Sequence, residues 1–336
     1  MFKIIEQILK DKRAEEHIAS ESSRKGKFIR FLKFYLIPGW RDPEFSEQEY
    51  EIEKVKSKRR LFRHLVKPLT IIGLLMILFI AVLAIFTPWL TIYPLQDLVV
   101  PNLPPSPHVF APPSPEHPLG TTYNGYDVLA RIIWGARTTI LTSLIPVTIS
   151  IGGGLILGIF SAYFGGVVDY LMMRFVDLFY AFPTLILIII VTPLIGSDLL
   201  TLLVVYGLLF IPYNIRFMRS LVFQVKQLEY VQAAKVGGAR RFIVMFKHIL
   251  PNAISPMLIS FFGGAAVAII GLAGLAFIGF SDNTVASWGL DILWARGKFS
   301  NISAAVWPGL FIGIAAIGYI LVGDGLRDAL DPRLKL

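Results

Sequence analysis

The chain contains no cysteine, which removes disulfides, thiolate metal sites and cysteine nucleophiles from consideration. Charge is also scarce. Asp, Glu, Lys and Arg make up 16% of the 336 residues, against roughly 25% in a soluble globular protein. The scarcity is patterned: none of the four occurs in 69–96, 138–168, 178–197, 199–215, 252–281 or 299–323. The histidines His17, His64, His108, His117 and His248 lie outside these runs, and none is paired at metal-ligand spacing. His-Glu-x-x-His, Gly-x-Ser-x-Gly and Gly-x-x-x-x-Gly-Lys-Ser/Thr are all missing, so the chain has no P-loop with which to bind ATP. The first thirty residues mix charges throughout and offer no apolar stretch of the kind a signal peptide needs.

What fills the gaps between charges is hydrophobic. Apolar residues make up 55% of the chain and the mean hydropathy is +0.65. Each uncharged run supplies the roughly 17–25 residues a helix needs to cross a bilayer. The expected architecture is an all-α integral membrane protein with six transmembrane helices, near 69–92, 138–163, 174–195, 199–219, 252–280 and 304–323. Pro146, Gly152 to Gly154, Pro183, Pro212, Gly263 and Gly264 fall inside these spans, where such residues are tolerated and small ones permit close helix contact. With the N-terminus inside, the internal segments 1–68, 164–174, 216–251 and the tail from 324 hold 17, 1, 7 and 3 basic residues, while the external ones hold only Arg131, Arg137, Arg296 and Lys298. That bias places both termini in the cytoplasm. The net charge of +9 is then mostly a topology signal; no base-reading motif accompanies it, so nucleic acid is not an expected partner.

Residues 1–68 form a basic cytoplasmic region. Within it, 27–37 spaces Lys27, Arg30 and Lys33 every third residue among Phe28, Ile29, Phe31, Leu32, Phe34 and Tyr35. This reads either as an amphipathic helix on the inner membrane surface or as one packed on the protein's own cytoplasmic face. The outer loop 93–137 is rich in proline and is expected to be extended and semi-rigid. A second outer loop, about 281–303, carries Trp288 and Trp294 and is expected to fold back on the bilayer edge as an aromatic anchor. Inside the spans, the central positions lack ionisable groups. Proton or sodium coupling therefore has no group to act on, and no charged ring or repeated carbonyl loop marks a channel. Arg174 and Asp177 sit at the cytoplasmic mouth of the third span, spaced for an i,i+3 pair at a helix end or for a gate.

The most informative segment is the charged loop 220–251, far longer than a simple connection needs. Leu221 to Val236 reads as one helix, Gly237-Gly238 as a sharp turn, Ala239 to Ile249 as a second helix, and Leu250-Pro251 as the start of the fifth span. Ala233, Ala234, Gly237 and Gly238 would let another surface approach the backbone closely. On the residues alone, a docking surface and a hairpin that packs on its neighbours stand level.

Gln232-Ala-Ala-x-x-x-Gly238, nine residues, then His248-Ile-Leu-Pro251 resembles the EAA loop of permeases of ABC importers, Glu-Ala-Ala-x3-Gly-x9-Ile-x-Leu-Pro. His117-Pro-Leu-Gly-Thr121, Gly125-Tyr-Asp-Val-Leu-Ala-Arg131, Gly135-Ala-Arg137, Ala162-Tyr-Phe-Gly-Gly166, Arg174-x-x-Asp177, Ala181-Phe-Pro183, Ser287-Trp-Gly289 and Gly323-Asp-Gly-Leu-Arg-Asp-Ala-Leu-Asp-Pro332 extend the likeness over 69–336. Together they resemble the dipeptide, oligopeptide and nickel branch, C-type subunit. Two positions depart from the pattern: Gln232 stands where the family keeps an acid, and Thr122 and Tyr126 replace an Asp and an Arg of the outer motif.

The resemblance implies a type I importer-permease fold and a non-catalytic subunit with no cofactor of its own. ATP would be bound by two partner ATPase subunits, and a second related permease and an extracytoplasmic solute-binding protein would complete the assembly. The loop residues Glu229, Gln232, Ala233, Ala234, Lys235, Gly238, Arg240, Arg241, His248 and Pro251 would couple to the ATPases. Di- or oligopeptides are the expected solute, with nickel, an opine, glutathione or an oligosaccharide as alternatives. A stand-alone channel or secondary carrier, and a membrane scaffold, are the readings outside the class.

Overall fold

In the uncharged runs no water competes for the backbone, so each N–H and C=O must find a partner within its own segment; helices follow. The computed structural model describes residues 67–99, 109–296 and 302–330. The basic N-terminal region, its segment 27–37, part of the proline-rich loop and the end of the tail lie outside them. Among the described residues the unit Pro68–Arg327 is built of helices and their connecting loops, with an isolated bridge between Thr121 and Asp127. The helices are α1 (Pro68–Leu90), α2 (Val128–Phe164), α3 (Gly166–Tyr180), α4 (Thr184–Ile195), α5 (Leu199–Leu209), α6 (Ile211–Lys226), α7 (Glu229–Val236), α8 (Arg241–Phe277), α9 (Trp288–Ala295) and α10 (Ser303–Leu330). Among the described residues five stretches are long and apolar enough to cross a membrane: α1, α2, α5 with α6, α8 and α10. The count becomes six if α3 and α4 are one broken span.

Helix ends differ from the expected spans for identifiable reasons. α2 starts ten residues before the expected 138, because the Asp127 carboxylate caps it, accepting from the Ala130 N–H at 2.7 Å. At 37 residues it is about 55 Å long, more than the hydrocarbon core requires. The expected helix 174–195 is not continuous: α3 and α4 meet at 88°. Pro183 causes the break, since it donates no N–H and pushes the residue before it out of the helical region. α5 is capped by Asp198, whose side chain accepts from the Thr201 N–H and hydroxyl. Those two bonds hold its carboxyl below the usual carboxylate range.

The core has two main parts. The larger joins Val147 of α2, Ile188 of α4, Leu202, Leu203 and Tyr206 of α5, the run Ala265 to Leu275 of α8, Trp288 of α9 and Ala315, Ala316 and Tyr319 of α10. The Ser143 and Tyr319 hydroxyls bond at 2.8 Å within it. The second lies at the end that carries α7, around Ile159, Met218, Val222, Val231, Val244, Met245, Ile249 and Met257. Small residues set the spacing of α2 and α6: a Cβ on Gly154 would lie 2.2 Å from Asn214 Cβ and 2.7 Å from its carbonyl carbon. Large apolar side chains such as Leu69, Leu75, Val167, Leu194 and Ile195 remain exposed, as surfaces that face lipid or other subunits do.

One expectation about the loops is corrected. Trp288 is not an anchor at the bilayer edge; it is 2% exposed and its indole N–H donates to the Ile132 carbonyl at 3.1 Å. In the described parts of the proline-rich loop Leu98, Phe110, Thr121 and Thr122 are buried, Pro112, Pro113, Pro115 and Pro118 are exposed, and the Thr121–Asp127 bridge returns the chain to α2. Gly154→Val is expected to force α2 and α6 apart and to cost about 1–3 kcal/mol. The thermal midpoint of the detergent-solubilised protein should fall; an unchanged midpoint would contradict the packing described.

Candidate functional site

The loop expected to run as helix, glycine turn and helix has a different division. α6 ends at Lys226, and Leu228 is extended (φ −69°, ψ 144°) before α7 begins. The expected single helix over Leu221 to Val236 is thus two, because Leu228 leaves the helical region and restarts the hydrogen-bond ladder at α7. α7 closes on a glycine turn: the N–H groups of Gly237, Gly238 and Ala239 donate to the carbonyls of Ala233, Lys235 and Ala234. Gly237 has an ordinary φ of −68°; Gly238 alone of the pair is left-handed, at φ +80°. A Cβ on Gly238 would meet nothing within 4 Å, so the demand for glycine is set by the backbone and not by crowding.

The helix after the turn starts at Arg241, and Arg240 precedes it with extended backbone. Val244 to Ile249 is π-helical and runs straight into the rest of α8, so Leu250-Pro251 continues a helix and does not open one. Pro251 cannot donate to a carbonyl in the preceding turn, and the wider register accommodates it. The Asn252 side chain donates to the His248 carbonyl at 2.9 Å.

On α7, Val231 is fully buried in the second core cluster. Glu229, Gln232, Ala233, Val236, Gly237 and Gly238 are exposed, and Ala234 and Lys235 are half-buried. Val236 is 90% exposed, an apolar side chain in open solvent. Arg240, Arg241, Lys247 and Pro251 are exposed and His248 is intermediate. The site is therefore a short helix pinned by one apolar side chain, with small residues, one bare valine and a cationic rim facing outward. Such a face suits entry into a groove of another protein. Glu229 in the first turn and Lys235 in the last both oppose the helix dipole favourably.

Arg174 and Asp177 do not pair with each other. Arg174 donates to the Tyr170 hydroxyl at 3.2 Å and lies over that ring, whereas Asp177 accepts from Arg216 of α6 at 2.6 Å. The guanidinium of Arg216, stacked 4.1 Å from the Tyr180 ring centroid, is the stronger partner because it approaches from a facing helix.

At the opposite end the structure holds a feature that sequence reasoning missed. Arg131 and Asp291, both side chains 1% exposed, form an ion pair between α2 and α9. Arg131 also donates to the Leu98 carbonyl, and its guanidinium lies against the neighbouring rings of Trp294 (4.7 Å) and Tyr126 (5.6 Å). Burial pushes the Asp291 carboxyl up, and the guanidinium pulls it back. The signal was present as a lone acid between Trp288 and Trp294 and a base just after the Asp127 cap. The departures Thr122 and Tyr126 sit beside this knot. The Thr122 hydroxyl accepts from the Tyr126 N–H at 3.2 Å, and the Thr122 N–H donates to the Tyr126 carbonyl.

A bundle of apolar helices with a short, lightly anchored helix and a glycine turn between two of them defines a polytopic membrane component. Comparison with known families agrees with that class. The family described as "Binding-protein-dependent transport system inner membrane component" matches residues 154–336, and this chain belongs to it. Among curated proteins it is 32% identical over 300 residues, 88% of this chain and 96% of the relative, to the dipeptide transport system permease protein of Alkalihalophilus pseudofirmus. It is 35% identical over 272 residues, 79% of the chain and 90% of the relative, to the dipeptide permease of Haemophilus influenzae. It is 33% identical over 225 residues, 66% and 75%, to the glutathione transport system permease protein of Pectobacterium atrosepticum. The chain is accordingly a multi-pass membrane protein.

Removing one member of the buried pair, by Arg131→Met or Asp291→Leu, leaves a buried charge unpaired and is expected to cost roughly 3–5 kcal/mol. The double variant should recover most of that loss. Thermal unfolding of the three proteins in one detergent checks this; a double variant no better than the singles would contradict it.

Proposed function

We propose that this chain is the permease subunit of an ATP-driven, binding-protein-dependent importer of di- or oligopeptides, seated in a bacterial inner membrane. The single observation that carries the reading is α7: in a member of this family, an exposed small-residue helix ends on a left-handed Gly238. In this reading α3 and α4 form one broken span, giving six, with both termini cytoplasmic. The charge pattern supports it, since the segment 216–251 carries seven basic residues and only an even number of spans before it keeps them on the side of the basic N-terminus.

The chain forms half of the translocation path with a second, related permease. Two ATPase subunits bind and hydrolyse ATP, and an extracytoplasmic protein delivers the solute. Closure of the ATPase dimer moves α7, which rides in a groove of one ATPase. Ala233, Ala234 and Gly238 give close approach, while Glu229, Lys235, Arg240 and Arg241 supply polar contacts at the rim. The spans then rock between outward- and inward-facing arrangements as rigid bodies. Peptide is favoured as solute because relatives named for dipeptides match most of this chain; the relative named for glutathione supports that tripeptide-like thiol as the second reading.

Co-purification tests the assembly: the tagged chain should bring down a second permease and P-loop ATPases, and recovery of the chain alone would count against it. Gly238→Val, whose left-handed backbone strains a β-branched residue by about 1–3 kcal/mol, should abolish solute-stimulated ATP hydrolysis while the protein still inserts. Gly238→Asn, which tolerates that conformation, should keep a larger share. Normal coupling in the valine variant would sink the assignment of α7.

A further inference from the structure

The last carbonyls of a helix have no partner within it. At the end of α2 the Ser161 carbonyl is satisfied by the Gly165 N–H at 3.0 Å. The next two, Ala162 and Tyr163, accept from the ammonium of Lys226 at 3.1 and 2.9 Å. A cation is also the favourable charge for that end of the helix dipole. The ammonium sits 5.7 Å from the Tyr163 ring centroid. Lys226 is itself the last residue of α6, so its own carbonyl lacks a helical partner, and it accepts from the Gln232 side-chain amide of α7 at 2.8 Å. One residue is thus held at both ends: its side chain by α2, its backbone by α7.

Around this joint, α2, α3 and α6 are tied firmly. Asp169, in the first turn of α3, accepts from two guanidinium nitrogens of Arg219, Nε and Nη2, each at 2.6 Å, and from the Ser161 hydroxyl at 2.7 Å. α7 is tied lightly. Besides the buried Val231, its side-chain attachments include the Gln232 bond and the Tyr230 hydroxyl, which donates to the His248 carbonyl at 3.4 Å and also meets the Asn252 side chain.

We propose that Lys226 is the positioning residue through which displacement of α7 reaches the spans, with Gln232 as its handle. The inference rests on reading α7 as the element that docks on the ATPases. It also gives the amide at 232 a physical reason. A carboxylate there could only accept a hydrogen bond; it would face the Lys226 carbonyl without a donor and draw the Lys226 ammonium away from α2. The neutral amide donates to the carbonyl and leaves the ammonium on the end of α2. The departure from the family's acid is therefore what allows Lys226 to bridge two helices at once.

The test uses the whole assembly in lipid nanodiscs, reading solute-stimulated ATP hydrolysis per co-purified ATPase. Lys226→Met and Gln232→Met should each lower it about fivefold, and the double variant should be no worse than the poorer single, as expected of two residues acting in series. Lys226→Arg, which can still cap the carbonyls, should retain most of the stimulation, and Gln232→Glu should behave like Gln232→Met. A residue that only stabilised the end of α2 would lower the thermal midpoint without this pattern. Multiplying losses in the double variant, or wild-type stimulation in Gln232→Met, whose side chain is exposed and should not affect folding, would overturn the proposal. A wild-type chain that brings down no ATPase would instead overturn the importer reading on which it rests.

Discussion

A backbone that runs through apolar surroundings has to satisfy its own polar groups, and at several helix ends in this structure a side chain does that work. Asp127 and Asp198 supply acceptors to the free N–H groups at the starts of α2 and α5. Lys226 supplies donors to the end of α2, Gln232 to the end of α6, and Asn252 to the turn before it. The polar residues of the chain are few, and those at helix ends are spent on this accounting. Remove them and the helices lose not their cores but their boundaries.

The same requirement explains which parts of the fold were legible in the sequence. The uncharged runs located the long helices, since nothing but a helix accommodates twenty apolar residues in lipid. Boundaries were harder to place. Arg131 and Arg137 looked like loop residues because charge normally marks the edge of a span, yet α2 begins before both. The guanidinium of Arg131 is buried by a partner 160 positions away, Asp291, and no local pattern reports such a pairing. The break between α3 and α4 falls at Pro183, a residue that membrane helices often tolerate; its position is plain in the sequence, but its 88° bend is not.

The candidate loop was legible as a motif and misread as geometry. Its order of small residues, glycines and basic residues is plain in the sequence. That Gly238 and not Gly237 takes the left-handed turn, that Val231 is the pin, and that Arg174 and Asp177 turn to separate partners are facts of three-dimensional placement. Lys226 carried no sequence signal beyond its charge. Its importance arises because the ends of α2 and α6 coincide in space.

The two ends of the bundle are built with opposite stiffness. At the α9 end a buried ion pair lies against two aromatic rings, and Trp288 and Thr138 bond across to neighbouring backbone. Separating those charges in place would leave each of them buried and unpaired, at a cost of several kcal/mol, so α2 and α9 must move together. At the α7 end the bonds that hold α7 itself, from Gln232 to the Lys226 carbonyl and from Tyr230 to the His248 carbonyl, are exposed to water, which can replace each one at little cost. A displacement applied to α7 can thus be accommodated locally, whereas at the far end it can be expressed only as movement of whole helices. Cores repack between discrete arrangements more readily than they deform. In the proposed coupling, a bundle lightly tied at α7 and rigid at α9 would convert a push on α7 into a concerted shift of whole helices.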